Sequence, residues 1–147
     1  MVALVQRVTA SWVAVEEKEI ARIGKGYNIL LGVLKEDQEL DIDKLVKKIL
    51  HLRLFPNEEG KMDKNILQIG GEALVVSQFT LAANVKRGNR PDFTAAKPPE
   101  EAKRLYEAFC RKLAASIPVQ TGRFGAMMEV GILNDGPVTI ILDSRAL

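Results

Sequence analysis

Two short segments hold the groups best suited to chemistry in this 147-residue chain. In the first, Ser77-Gln78-Phe79-Thr80, three polar side chains enter an apolar run that begins at Ala73. Polar groups that enter a buried strand must be hydrogen-bonded, or their burial costs free energy. Their partners are either neighbouring backbone groups and solvent at an exposed edge, or a ligand, and the pattern alone leaves both alternatives open.

The second segment is the dipeptide Gly136-Pro137, between the apolar runs Met127–Leu133 and Val138–Leu142. Glycine tolerates a positive φ, and proline is the residue for which a cis peptide bond costs little. A hairpin or a bend between strands is the structural interpretation, because Asp-Gly and Gly-Pro dipeptides commonly mark turns. In the functional interpretation, nearby carbonyl groups lack ladder partners and face a ligand as acceptors, because Pro137 has no N–H.

Side-chain bases are scarce in this chain, which has one histidine, His51, and one cysteine, Cys110. A single cysteine excludes an internal disulfide, and the two residues cannot form a Cys/His metal site, so no metal or cofactor is expected. We interpret His51 as a helix-end or partly buried histidine and Cys110 as a structural thiol. An enzyme of this composition would use backbone donors and acceptors that orient a reactive substrate and stabilise an oxyanion.

Charge is informative only where it clusters, because the formal net charge is just +2. Lys86, Arg87 and Arg90 place three cations within five residues of a loop. Such a loop is typical of an exposed surface segment and also of a segment that contacts phosphate. Arg7 is the one charge at the end of the first apolar run, where we predict a solvated strand end, with an inward hydrogen-bonding role as the alternative.

The elements that must position these residues are strands around two helices. A helical period begins at Asp41 and ends between His51 and Phe55, before Pro56, and a second helix begins at Pro98-Pro99 and ends before Pro118. There is no repeat and no linker-like stretch, so residues 1–147 are predicted to form a single α+β domain. The predicted strands are Val2–Val8, Ser11–Val15, Ile20–Ile23, Tyr27–Val33, Ala73–Leu81, Met127–Leu133 and Val138–Leu142.

The sequence also suggests where the protein is located. No apolar run approaches the ~20 residues that a membrane-spanning helix needs. The stretch Met1–Arg7 lacks the basic, apolar and small-residue regions of a signal peptide. We therefore expect a cytoplasmic protein without a membrane partner.

The two segments together resemble the motif pair of the D-aminoacyl-tRNA deacylases, homodimeric editing enzymes that clear D-amino acids from tRNA. The motifs are Ser77–Leu81 and Asn134–Thr139, and their length and order make the resemblance specific. A small departure is Ser11-Trp12, where the family more often has small residues. The resemblance extends along the chain to Gln6-Arg7-Val8, Leu31-Gly32-Val33, Gly60-Lys61-Met62, the segment Arg87–Phe93 and Thr121–Ala126.

The resemblance implies a curved, barrel-like, mainly antiparallel sheet packed with two main helices, paired as a homodimer. It implies that the Gly136-Pro137 bond is cis and reaches into the partner subunit's pocket. There its carbonyls would meet the substrate amino group and exclude an L side chain by steric clash, while glycine would pass. Ser77, Gln78, Phe79 and Thr80 would hold the terminal adenosine and the ester, with the N–H groups near Phe79 and Thr80 suited to an oxyanion.

The implied reaction is hydrolysis of the ester of D-aminoacyl-tRNA by water, assisted by the substrate's own terminal ribose hydroxyl. Thr80 would position the reactants, since nothing near it in sequence accepts its proton. Two other functions stay open, an RNA-binding or dimeric interaction module without catalysis and a serine or threonine esterase of small molecules. The resemblance also implies roles for two further groups of residues. Arg7, Phe124 and Met128 would belong to the substrate pocket and its chiral gate. Lys86, Arg87 and Arg90 would bind the tRNA.

Overall fold

One long strand organises the sheet, and every other element can be placed relative to it. The computed structural model describes residues 1–147. In chain order the elements are β1 (Val2–Val15), β2 (Lys18–Ile23), β3 (Gly26–Gly32), α1 (Glu39–His51), β4 (Phe55–Pro56), β5 (Met62–Lys64), β6 (Glu72–Ser77), a 3-10 turn (Phe79–Ala82), α2 (Pro99–Ala114), β7 (Val119–Thr121), β8 (Glu129–Asp143) and a second 3-10 turn (Ser144–Ala146).

Strand β1 is continuous, so the predicted interruption at Thr9-Ala10 is wrong. On one side it pairs with β8 along nearly its whole length. On the other side it pairs first with β3, from Val2 to Val8, and then with β2, from Ser11 to Val15. The flanking ladders keep Thr9 and Ala10 within one strand, with Ala10 paired to Leu133 of β8. A local pattern cannot anticipate partners that lie far along the chain.

The sheet is mixed but mainly antiparallel. All pairings of β1 are antiparallel, whereas β3 with β6 and β6 with β7 are parallel. Strand β2 curls over towards β6 and β7, so the sheet is nearly closed and barrel-like. The predicted fold class, a curved and mainly antiparallel sheet with two main helices in one domain, is confirmed.

Two apolar cores lie on opposite sides of this sheet. The larger core packs α1 and α2 against β1, β3 and β6, and the smaller one lies inside the curled sheet. Strand β3 is buried on both faces, as its uninterrupted apolar run predicts, because it separates the two cores. The side chains of α1 that reach the larger core include the predicted apolar stripe, Ile42, Leu45, Val46 and Ile49.

Helix α1 begins two residues earlier than the apolar pattern alone indicates. The N–H of Gln38 donates to the Asp41 carboxylate at 2.8 Å and so satisfies a backbone group at the helix start. Helix α2 begins at Pro99, where a missing N–H costs nothing. No helix combines the length and apolar character needed to cross a membrane.

Two strand predictions near the candidate site are wrong in extent. Strand β6 ends at Ser77, so Gln78, Phe79 and Thr80 lie beyond it and not within a buried strand. The segment around Gly136-Pro137 is not a hairpin, because β8 runs through it from Glu129 to Asp143. In both places the hydrogen-bonded neighbour decides where pairing ends, and the neighbour is remote in sequence.

The Trp12 ring packs against a glycine on the neighbouring strand. A Cβ on Gly131 of the neighbouring strand would lie 1.9 Å from the Trp12 ring, so the absence of a side chain there makes room for the indole. The guanidinium of Arg22, on β2, lies 4.7 Å from the centroid of the Trp12 ring. Ser11 is buried and donates to the carbonyl of Gly131 at 2.7 Å. The departure from the family pattern is therefore accommodated without interrupting β1.

Candidate active site

The polar segment after β6 is fixed by the end of a neighbouring strand. The N–H of Gln78 donates to the carbonyl of Leu31 at 2.8 Å. The 3-10 turn then packs against Gly32, where a Cβ would lie 2.9 Å from the Leu81 Cβ and 3.1 Å from the Gln78 carbonyl oxygen. A glycine at this position therefore lets the turn approach the sheet closely.

This segment presents hydrogen-bond donors and no base. Phe79 and Thr80 are exposed, and their backbone N–H groups have no acceptor in the chain. The side-chain amide of Gln78 donates to the Thr80 hydroxyl oxygen. Neither a carboxylate nor an imidazole bonds to Thr80, so nothing within the chain is arranged to take its proton.

The basic loop is anchored beside this segment. Reciprocal backbone bonds between Asn84 and Asp92, of 2.8 and 2.9 Å, close the loop at its base. Phe93, which follows, packs edge-on against Phe79 with ring centroids 5.1 Å apart. The predicted tRNA-binding residues are exposed and have no carboxylate partner within the chain; they are Lys86, Arg87 and Arg90.

The Gly136-Pro137 bond is cis, as expected, and lies in a bulge of β8. Gln6 pairs with Thr139 and Val8 pairs with Asn134, so the four residues 135–138 lie opposite a single residue of β1. The Asn134 side chain spans the bulge, because it accepts from the N–H of Val138 and donates to the Thr139 hydroxyl, both at 2.8 Å. Gly136 and Pro137 are exposed on this bulge.

Arg7 is the residue opposite the bulge, and its side chain points inward. The predicted solvated strand end is therefore wrong, and the hydrogen-bonding alternative is correct: the residue is 9% exposed. Its guanidinium donates to the carbonyl of Asp135 at 3.0 Å and to that of Leu54 at 2.5 Å. The Asp135 carboxylate lies 3.4 Å from the Nε of Arg7. Arg7 thus ties the bulge to the chain that follows α1.

Tyr27 pairs with Arg7 across the β1–β3 ladder and lies in the same buried region. Burial raises the pKa of its hydroxyl, and the Arg7 charge opposes this effect only in part. The hydroxyl has no hydrogen-bond partner within the chain. Tyr27 is therefore neutral, and it packs against Phe55 with ring centroids 5.2 Å apart.

Phe124 and Met128 follow β7, next to the end of β6. The N–H of Gly122 donates to the carbonyl of Val75, two residues before Ser77, at 3.2 Å. A Cβ on Gly122 would lie 2.8 Å from the Met128 sulfur, so this glycine makes room for the thioether. Phe124 packs against Tyr106 of α2 with centroids 5.7 Å apart. Both predicted substrate-pocket residues are half-buried.

The two motifs are far apart within one chain. Strands β3 and β1 lie between β6 and β8, which separates the motifs by three strand spacings, roughly 14 Å. Across the sheet, Ser77 pairs with Leu31, Leu31 with Ala3, and Ala3 with Leu142. Leu142 is five residues after Pro137, so Pro137 is displaced by roughly 17 Å along β8 from the position level with Ser77. Gly136-Pro137 and Ser77–Thr80 do not line one pocket in a single copy of the chain.

Neither of the two remaining nucleophile or base candidates belongs to this site. His51 is the last residue of α1, as predicted, but it is exposed, and its Nδ1 lies 2.8 Å from the Lys47 carbonyl oxygen. Cys110 is buried in α2, and burial raises the pKa of its thiol to about 12. The thiolate is thus scarce at neutral pH, which agrees with a structural role.

Comparisons with known proteins give the family. A family model described as D-Tyr-tRNA(Tyr) deacylase matches residues 4–143. The D-aminoacyl-tRNA deacylase of a Nitratiruptor species is 72% identical, and that of Persephonella marina is 58% identical, each over 100% of both chains.

Solved structures share the fold of this chain. The c-Myc DNA Unwinding Element Binding Protein is 44% identical, with a TM-score of 0.93 over 97% of this chain and 98% of that one. A protein described as a probable eukaryotic D-amino acid tRNA deacylase is only 17% identical and shows the fold alone, with a TM-score of 0.82 over 96% of this chain and 97% of that one. The family model and the full-length relatives together show that this chain belongs to the D-Tyr-tRNA(Tyr) deacylase family.

Proposed function

We propose that the protein hydrolyses the ester of D-aminoacyl-tRNA and releases the free D-amino acid and tRNA. The observation that carries this proposal is identity along the whole chain to proteins named D-aminoacyl-tRNA deacylase, 72% in one case. The site described above fits such a reaction, because it offers backbone donors beside an exposed aromatic ring and supplies no side-chain base. A cytoplasmic location is part of the proposal, since tRNA is aminoacylated and used there.

In this proposal the terminal adenosine and its ester bind at Ser77, Gln78, Phe79 and Thr80. Water attacks the ester carbonyl carbon, and the free N–H groups of Phe79 and Thr80 stabilise the negative charge that develops on the carbonyl oxygen. The substrate's neighbouring ribose hydroxyl takes the proton from water and passes it to the ribose oxygen that leaves. Thr80 positions the reactants, which is supported by its only side-chain partner being an amide.

The chiral gate is proposed to come from a second copy of the chain. The separation of the two motifs within one chain supports this arrangement. The motifs are three strand spacings apart across the sheet and five residues apart along β8, and a single aminoacyl group cannot span this distance. Gly136 and Pro137 are exposed on their bulge and so are accessible to a partner. Their carbonyls would bind the substrate amino group and exclude an L side chain, and mischarged glycyl-tRNA would also be a substrate.

Other predicted residues take supporting roles in the proposal. Arg7 holds the bulge from behind, through the Asp135 carbonyl. Phe124 and Met128 form the wall that adjoins Ser77, which their contacts with Tyr106 and Gly122 support. The exposed and unpaired cations of the basic loop contact the tRNA backbone; they are Lys86, Arg87 and Arg90.

The test incubates the protein separately with D-tyrosyl-tRNA and L-tyrosyl-tRNA and measures the ester that remains. We expect loss of the D ester alone. Survival of both esters would favour an RNA-binding module without catalysis, and equal loss of both would remove the chiral gate. Sensitivity to hydroxyl-directed inhibitors would instead favour a serine or threonine esterase.

The variant Thr80→Ala separates positioning from nucleophilic catalysis. Because a positioning hydrogen bond contributes about 1 kcal/mol, we expect hydrolysis to slow roughly fivefold to tenfold and to remain measurable. Complete loss of hydrolysis, with tRNA binding and unfolding free energy unchanged, would assign the nucleophile to Thr80.

A further inference from the structure

A groove lies between α2 and the segment Thr121–Phe124. Its volume is about 440 Å³. One wall is a single face of α2, with Lys103, Glu107 and Arg111 at helical spacing, and Arg123 stands on the other wall. The aromatic rings of Tyr106 and Phe124 also line it. None of these polar residues entered the sequence-based prediction of the site.

The groove has more positive than negative charge. Its only carboxylate, Glu107, is 3.8 Å from the ammonium of Lys103. Arg111 and Arg123 are exposed and form no ion pair within the chain. Two guanidinium groups without a carboxylate partner therefore line the same groove. Guanidinium groups bind phosphate and carboxylate through paired hydrogen bonds, and phosphate is the one of these two groups that tRNA carries.

The groove lies beside the strand that leads into the candidate active site. Gly122 lines the groove and bonds to the carbonyl of Val75, two residues before Ser77. The same glycine contacts Met128, and Phe124 lines the groove directly. If the terminal adenosine binds at Ser77–Thr80, this proximity would allow the nucleotides before it to enter the groove.

We propose that this groove binds the phosphate backbone of the single-stranded 3′ end of tRNA, with Arg111 and Arg123 as phosphate contacts. The groove and the loop Lys86–Arg90 would then both contact the tRNA backbone. This inference rests on the proposed function for the identity of the ligand. The two arginines touch phosphate and not the ester, so they contribute to binding and not to the chemical step.

The chain offers a closely matched control. The test variant is Arg111→Ala with Arg123→Ala, and the control is Arg104→Ala with Lys112→Ala. Both remove two cations, and the control pair lies on α2, where Arg104 and Lys112 pair with Glu39 and Asp43 of α1 and not with the groove. All four side chains are exposed, so both variants are expected to fold.

The first measurement is the affinity for uncharged tRNA as a function of salt concentration. Each single-stranded phosphate contact contributes about 0.7 to the slope of log K against log salt, so the test variant should lose about 1.4 of this slope. The control should keep the wild-type slope. Equal slopes in the test and control variants would overturn the proposal.

The second measurement is steady-state hydrolysis of D-tyrosyl-tRNA. The test variant should show a KM raised about tenfold with kcat unchanged, because the lost contacts are made equally in the ground and transition states. A fall in kcat with KM unchanged would also contradict a phosphate-binding role. If wild-type protein does not hydrolyse D-tyrosyl-tRNA, the proposed function fails, and the binding measurement still decides the groove independently.

Discussion

Arg7 shows how far the environment of one residue can depart from what its type predicts. Charged side chains are rarely buried without partners, and here two backbone carbonyls and a carboxylate supply them. One carbonyl belongs to the chain after α1 and the other to the bulge of β8. A single side chain therefore connects the sheet, a loop and the proposed gate, and these contacts support the positioning role that we propose for it.

Replacing Arg7 should cost both stability and activity. Arg7→Met keeps an unbranched side chain but leaves the carbonyls of Leu54 and Asp135 without their donor, so we expect a loss of about 2–4 kcal/mol in the free energy of unfolding. Urea denaturation at one fixed protein concentration measures it. Hydrolysis of D-tyrosyl-tRNA should fall because the bulge is no longer held in place.

The neighbouring residue provides the control for Arg7. Gln6 bonds to the Thr139 hydroxyl at 3.3 Å in an exposed position, so Gln6→Ala should change the unfolding free energy by less than about 0.5 kcal/mol. If Arg7→Met is as mild as this control, the contacts of Arg7 do not support the bulge.

At the scale of elements, the turn between β1 and β2 is the clearest conflict between local sequence and fold. Val15 pairs with Lys18, so the loop consists of Glu16 and Glu17 alone, and both have positive φ, 50° and 67°. Two-residue turns of this type favour asparagine followed by glycine, because other side chains are strained there. The pairing of β1 and β2 imposes this geometry on residues that do not prefer it.

The turn should therefore tolerate an improving substitution. Glu16→Asn with Glu17→Gly should raise the free energy of unfolding by about 1 kcal/mol, because both new residues adopt positive φ readily. Thermal and urea unfolding would measure the gain, with Glu16→Asn alone expected to give part of it. A decrease in stability would mean that the glutamate side chains make a compensating contribution.

At the scale of the whole molecule, the sheet has a face that is incompletely covered. Ile141 is 72% exposed and lies next to Leu4 and Leu30 across the ladders, on the face opposite the helices. Strand β8 pairs only with β1, so its other edge is free. Long free edges and adjacent apolar side chains are features that proteins usually cover, and a second copy of the chain would cover both.

This arrangement leads to a test of the proposed dimer. Ile141→Glu would place a charge in the proposed interface, so we expect the dissociation constant of the proposed dimer to rise by at least about 100-fold, roughly 3 kcal/mol. Sedimentation velocity measures the change, and hydrolysis of D-tyrosyl-tRNA should fall with it because each site lacks its partner's gate.

The control for this test is Leu40→Glu, which introduces the same charge at a residue that is 61% exposed on α1. It should leave the dimer intact. A monomeric wild-type protein, or an Ile141→Glu variant that stays dimeric, would contradict the proposed interface.

The sequence alone determined the local elements and the chemical character of this protein. Helical periodicity and the prolines placed the starts of α1 and α2 within two residues, because capping and proline geometry act over a few neighbouring residues. The scarcity of histidine and cysteine predicted a site without side-chain bases. The two motifs predicted the family because their residue types and order are specific.

Only the tertiary structure decided how these parts are related. The continuity of β1 and β8, the inward orientation of Arg7 and the separation of the two motifs all depend on strands that pair across most of the chain. The groove brings together Arg111 and Arg123, which share no local pattern. Local propensity acts over a few residues, whereas these arrangements follow from the packing of the entire sheet, so the sequence pattern could not predict them.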